Sequence, residues 1–416
     1  MKIAFRYHRS KLIISVITLS VFLLTTCIDT EKEKEGPAAI ATKITHEQFA
    51  GSASCASCHK DIYTKHLNTA HYLTSRIATE QSILGSFEPG QNLHAFNSNE
   101  AVIMEKRDSG FFQVEYVNGV QKRIARFDIT IGSGTMGQSF LRWHNQQLFQ
   151  LPITFFSAAN QWSNSPGFAN RPTFNRDITS RCLECHATFA QVISPPAKEP
   201  EQFNPDKMIF GVDCEKCHGP AAQHVSFQTN NPGDSIGRHI VNPAKLSRQQ
   251  SLDICALCHG GRLQKTTPSF EFTAGQLLSD YFKIDTATPD PQKVDVHANQ
   301  YGLLRNSKCF RMSNELTCNT CHNTHENEKT KTALFSQRCM SCHDVKSNNF
   351  CTLKDLPAST LIKNCIDCHM PQKPSKAIAV FVSGQQQQSM IAALIRSHYI
   401  SIYSEESKKK ITEWKK

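Results

Sequence analysis

The chain has 416 residues, seventeen of them cysteine, and a formal net charge of +10. That charge would suit a nucleic-acid partner, but Lys2, Arg6, Arg9 and Lys11 sit in an N-terminal leader, and without them the balance is about +6. Anionic groups that the cysteines bring, described below, take it close to zero, which excludes nucleic-acid binding.

The basic leader runs into the apolar stretch Leu12 to Leu24 and then Cys27. Residues 1–26 read as a secretory signal, too short for a membrane span with its small polar flank. Leu24-Thr25-Thr26-Cys27 resembles a bacterial lipobox, with Thr26 where Gly, Ala or Ser is usual. The expectation is acylation at Cys27, with ordinary signal cleavage nearby as the alternative. Residues 27–45, where Glu31 to Glu35 alternate with lysine, read as a solvated tether. This places the mature protein in the periplasm or at the cell surface, held at a bacterial membrane by its lipid.

The pentapeptide C-x-x-C-H then occurs seven times. It comprises Cys55, Cys58 and His59; Cys182, Cys185 and His186; Cys214, Cys217 and His218; Cys255, Cys258 and His259; Cys318, Cys321 and His322; Cys339, Cys342 and His343; and Cys365, Cys368 and His369. Two thiols about one helical turn apart reach the two vinyl groups on one porphyrin edge, and the next residue swings its imidazole under the iron. Zinc ribbons and redox dithiols also use C-x-x-C, but neither needs a histidine after every second cysteine. The expectation is seven covalent c-type haems. Each ferric haem with both propionates ionised contributes about −1, so the basic residues balance propionates. Of the other cysteines, Cys309 and Cys351 are either a disulfide or two thiols.

The motifs are unevenly spaced. The first lies in a segment over 46–93, and the other six crowd into 161–382. At about thirty residues per haem, the macrocycles must pack on one another and form much of the core. Between them, residues 94–160 read as a small β-rich domain without a haem. Phe112, Val114 and Tyr116 alternate with polar residues, Asn118-Gly119 is a two-residue hairpin turn, and Ile124, Phe127, Ile129 and Ile131 continue the pattern. Gly132, Gly134 and Gly137 have the wrong spacing for a dinucleotide-binding loop. Over 383–416, Gln385 to Gln388 read as a linker, and Ile391, Leu394, Ile395 and His398 fall at helical spacing, which predicts an amphipathic helix before a basic tail. The fold expected is mainly α and irregular around a packed haem core, with a small β-rich insertion.

Ten histidines outside the motifs and leader are available as second axial ligands: His46, His66, His71, His94, His144, His224, His239, His297, His325 and His398. His325 follows His322 by three residues, so it leaves the chain beside that proximal ligand and cannot reach the far face of the same porphyrin. Its expected role is to ligate a neighbouring haem, and the same argument applies to His224 after His218.

The segments CEKCHGPAAQH, CNTCHNTH and CIDCHMP, with a first motif followed by His71, resemble the cytochrome c-552/4-like multihaem proteins. Their superfamily includes hydroxylamine oxidoreductase, pentahaem nitrite reductase and octahaem tetrathionate reductase. The resemblance covers 46–160 loosely and 180–370 more specifically, and the stretch Trp143 to Phe168 is also similar to multihaem cytochromes. It implies distal roles for His71, His224 and His325 and extends them to His297 and His398. Two functions fit: an electron carrier between redox proteins, or an oxidoreductase acting on hydroxylamine, nitrite or tetrathionate. The nitrite and tetrathionate enzymes of that superfamily use a motif ending in lysine, and no motif here does. Electron transfer is therefore the expected activity.

Overall fold

The computed structural model describes residues 43–284, 290–346, 349–382 and 390–415. Cys27, the leader, most of the tether and the glutamine run lie outside them. Among the described residues no helix is long and apolar enough to cross a membrane.

Strand β1 (Ser75–Ile77) follows the first motif. Four strands, β2 (Leu93–Ala95), β3 (Glu100–Arg107), β4 (Gly110–Val117) and β5 (Val120–Arg126), then form one antiparallel sheet in sequence order. The β4–β5 turn is Asn118-Gly119, both in the left-handed region at φ 52° and 76°, which matches the right-handed twist of the strands it joins. A second sheet contains β1 with β6 (Ile129–Ile131), β7 (Gly137–His144), β8 (Gln147–Gln150), β9 (Ile153–Phe156), β10 (Gln161–Asn164) and β11 (Arg176–Asp177). Gly132 has φ 101°, and a Cβ there would lie 2.7 Å from the Gly137 carbonyl, so the tight entry into β7 requires glycine.

Two apolar cores lie on this frame. In one, Phe127 stacks on Phe140 at 4.4 Å beside Trp162, whose Nε1 donates to the Ser86 carbonyl at 2.7 Å. The other joins Ile129, Leu141 and Leu148 to Leu183 and to Phe189 and Phe203 of the hairpin β12 (Ala187–Ser194) and β13 (Gln202–Phe210). Leu183 is the first variable residue of the second motif. Its burial fastens that motif to the sheet.

The remaining strands are the short pair β14 (Gln264–Lys265) and β15 (Phe282–Lys283), and the hairpin of β16 (Gln372–Phe381) with β17 (Met390–Arg396). The hairpin corrects the helix expected around Ile391 to His398. Val380 and Ala393 are buried with Phe156, whereas Leu394 points to solvent. Burial therefore follows strand pairing with β16, and the apparent helical spacing was incidental. The C-terminal helix begins later, at Ser404–Trp414.

The fold is likewise not mainly α. About 27% of it is helical and about 26% strand, in several antiparallel sheets. Strands extend well beyond the insertion, and the motif helices are short. Cys214–His218 and Cys365–His369 consist of the motif alone, and the longest motif helix is Arg248–His259. Its start is fixed by a capping box of Ser247 and Gln250.

Candidate haem centre

The first five motifs, cysteines and histidines alike, converge on one cavity of about 2240 Å³. Single ligand pockets usually hold about 300–1,000 Å³. The same cavity is lined by His71, His224, His297, His325 and His398.

Several imidazoles face one another across it. His218 and His325 have ring centroids 6.1 Å apart and planes within 19°, and His322 and His398 are 5.9 Å apart within 21°. His71 and His259 are 6.3 Å apart and steeply inclined. An imidazole nitrogen lies about 2 Å from a metal it binds, with the ring centre about 1 Å beyond, so two rings on opposite sides of one iron stand about 6 Å apart. The residues fit a haem iron between each pair.

Protonation agrees with that fit. Burial lowers the imidazoles of His71, His186, His297, His322 and His325, and pushes those of His259 and His398 down to about 4. All are therefore neutral at pH 7, with a lone pair to offer a metal. Nδ1 of His398 is buried without a hydrogen-bond partner among the described residues. Other rings are oriented through Nδ1, which donates to a carbonyl: His218 to Val241 at 2.9 Å, His343 to Asn349 at 2.6 Å, His369 to Ser401 at 2.8 Å and His224 to Arg238 at 2.8 Å. Each leaves Nε2 free for iron, as ligating histidines characteristically do. His186 instead contacts the Thr74 hydroxyl through Nδ1 at 3.0 Å.

The motifs also hold one another. Glu215, inside the third, accepts from the amides of Ala50 and Gly51 ahead of the first, at 2.8 and 2.9 Å. Arg181, just before the second, donates to the Leu257 carbonyl in the fourth at 2.9 Å. Arg248, at the start of the fourth motif's helix, donates to the carbonyls of Leu316 and Phe310 near the fifth, both at 3.0 Å. Arg338, just before the sixth, donates to the Cys321 carbonyl in the fifth at 2.6 Å. Thiols meet in the pairs Cys55 with Cys214, Cys185 with Cys258, Cys255 with Cys318, and Cys339 with Cys365. Contacts thus run from motif one to three, from two through four, five and six to seven. Lys216, inside the third motif, lies 4.9 Å over the Phe270 ring, where burial lowers its pKa, and nearby Cys258 and Glu184 oppose that shift by favouring its charge.

Of the remaining histidines, His66 also lines this cavity. His66 contacts the Val212 carbonyl at 3.2 Å and Asp213 at 3.8 Å. His46 packs on Phe189, His94 on Phe96, His144 on Phe149 and His239 on Phe227. Cys309 and Cys351 are free thiols. Glu215, Arg181 and Arg338 escaped the sequence reading because the positions they occupy within or beside C-x-x-C-H accept any residue, and Arg248 because it stands seven residues before Cys255. For the first three the available signal was a charged residue next to a motif cysteine.

A family model described as cytochrome c554 and c-prime matches residues 144–219, which contain the second and third motifs. A multihaem cytochrome, MtrA of Shewanella baltica, is 23% identical over 201 residues, 47% of this chain and 54% of that protein. The chain is a multihaem c-type cytochrome. Among solved structures, the outer cell wall cytochrome OcwA superposes with a TM-score of 0.51 at 16% identity, covering 87% of this cytochrome and 81% of that chain. This cytochrome therefore shares the OcwA fold, and it spans about half the length of the curated relative that it matches.

Proposed function

We propose that the protein carries seven covalent haems and passes electrons between extracytoplasmic redox proteins, tethered to a bacterial membrane by an acylated Cys27. The observation that carries this reading is the unbroken run of contacts among motifs two, four, five, six and seven, with one and three stitched together beside them. Bound haem supplies one-electron chemistry at iron. The protein's part would be to hold irons between facing imidazoles: His71 with His259, His325 with His218, and His398 with His322. His297, which adds to the lowering of His186, completes that site. His224 pairs with His59, because its helix Ala222–Asn230 packs on the His46–Gln48 turn ahead of the first motif. Two imidazoles held in place by the fold would keep the ligand set unchanged on oxidation and reduction, which suits transfer between partners. The match at 144–219 supports placing the protein with the cytochrome c-552/4-like superfamily.

A pyridine haemochrome assay scaled to protein mass should give seven haems per chain, and mass spectrometry of the mature N-terminal peptide should give an acylated cysteine. Five haems or fewer on fully matured protein would show unused motifs, and an unmodified N-terminus elsewhere would remove the anchor.

A further inference from the structure

His297 stands on a short loop that is held from both sides. On one side Val296 is buried, and the Gly261 amide, just past the fourth motif, donates to the Ala298 carbonyl at 2.7 Å. Ala298 has φ 59°, a left-handed conformation that alanine keeps only where its surroundings impose it. Asn299 then caps the helix Gln300–Arg305, accepting from the Gly302 amide at 3.2 Å. On the other side is Asp295, whose carboxylate reaches an irregular stretch of β16. Between the pairs Pro374–Leu394 and Ala379–Ala392, β16 has four residues where β17 has one, so the amides of this bulge fall outside the ladder. Asp295 is their acceptor. Its Oδ2 accepts from the amides of Lys376 and Ala377 at 2.5 and 3.2 Å, and its Oδ1 from the Ser375 hydroxyl at 2.9 Å. Oδ1 also accepts from the His297 amide at 2.7 Å. One carboxylate thus joins the bulge to the backbone of the histidine.

We infer that Asp295 is the positioning residue for His297, fixing its imidazole as the second ligand of the haem iron on His186. This rests on the reading that pairs His297 with His186. Asp295 acts through the backbone: hydrogen bonds to a charged acceptor are about twice as strong as neutral ones, and four of them tie the loop to the bulge. A ligand atom keeps its place at a metal only when supporting contacts hold it within about 0.5 Å. Without the carboxylate, the bulge amides and the His297 amide lose their common acceptor, and the loop is free to draw the imidazole away. Losing hydrogen bonds of this kind should shift the ratio of bound to dissociated His297 by roughly tenfold or more.

The test compares full-length matured variants with wild type by electron paramagnetic resonance of the oxidised protein. His297→Ala should add one high-spin equivalent per chain to the wild-type spectrum. Asp295→Ala should add part of that same signal, and added imidazole should return it to low spin. Asp295→Asn keeps one acceptor oxygen in the same shape, so its signal should fall between those of Asp295→Ala and wild type. A merely structural role would add its effect to that of any other variant. Asp295→Ala in the His297→Ala background should therefore open no further iron. An Asp295→Ala spectrum identical to wild type, beside an altered His297→Ala one, overturns the inference, and so does a double variant with two opened irons. Where Asp295→Ala does not mature, the isosteric Asp295→Asn decides, and a wholly low-spin change-free spectrum there overturns it. If His297→Ala itself leaves the spectrum unchanged, the pairing with His186 fails, and the inference fails with it.

Discussion

Replacing His325 by alanine converts one buried low-spin iron to high spin and leaves the covalent haem count unchanged. The ring stands 6.1 Å from His218 and nearly parallel to it, whereas its sequence neighbour His322 is faced by His398 at 5.9 Å. Deleting the side chain therefore opens the iron on His218, in the third motif, and not the one on His322. Both thioethers of each haem remain, so attachment survives. Added imidazole should fill the gap and restore the low-spin signal. His398→Met should keep its iron six-coordinate and raise that haem's potential by roughly 0.1 V, a modest part of the ~0.8 V range that axial ligation spans. His239→Ala, which removes a ring packed on Phe227, should change neither spectrum nor potential. The check is electron paramagnetic resonance with a spectroscopic redox titration; a His325→Ala spectrum identical to wild type would disprove the pairing.

The sequence is most legible where chemistry demands contiguous residues. A haem attachment site needs two thiols and an imidazole within five positions, so every motif was visible. His224 and His325 also stand out as candidates, because each lies within seven residues of a motif histidine and short chain geometry limits what it can reach; both line the cavity. Pairing was not visible. His71 faces His259, and the first motif is fastened by a carboxylate of the third; both depend on how distant segments fold together. The strand pattern at Phe112, Val114 and Tyr116 lies within β4, and Asn118-Gly119 occupies the turn after it, because local alternation and positive-φ turns are properties of the chain itself. At Ile391, Leu394 and Ile395 the spacing suited a helix, yet the segment pairs with β16. Three apolar residues in a short stretch fit either period, and here the partner strand decided between them. The mainly α expectation failed for a related reason. A motif helix can end at its own histidine, so seven motifs commit little of the chain to helix, while hairpins such as β12–β13 fill the spaces between them.

Glu215→Ala should cost about 2–4 kcal/mol of stability, although no haem touches this side chain through its own motif chemistry. Its carboxylate is 4% exposed and accepts three backbone amides: Oε1 from Ala50 and Ala221 at 2.8 Å each, and Oε2 from Gly51 at 2.9 Å. Two of these donors precede the first motif and the third follows the third motif, so one side chain satisfies the chain entering one haem site and leaving another. Alanine leaves all three amides without their acceptor. The Ala221 amide, on a residue only 2% exposed, is the least able to take water instead. Glutamine keeps the oxygen shared by Ala50 and Ala221 but turns an NH₂ group toward the Gly51 amide, so Glu215→Gln should lose about half as much. Total stabilities of single domains run to roughly 5–15 kcal/mol, and the alanine variant should lower the unfolding midpoint of the matured protein clearly while retaining its haem count. Chaotrope unfolding of the three proteins, followed by far-ultraviolet circular dichroism, orders them wild type, Gln, Ala. A Glu215→Ala protein within about 0.5 kcal/mol of wild type would mean that water replaces the carboxylate and that packing alone holds the first and third motifs together.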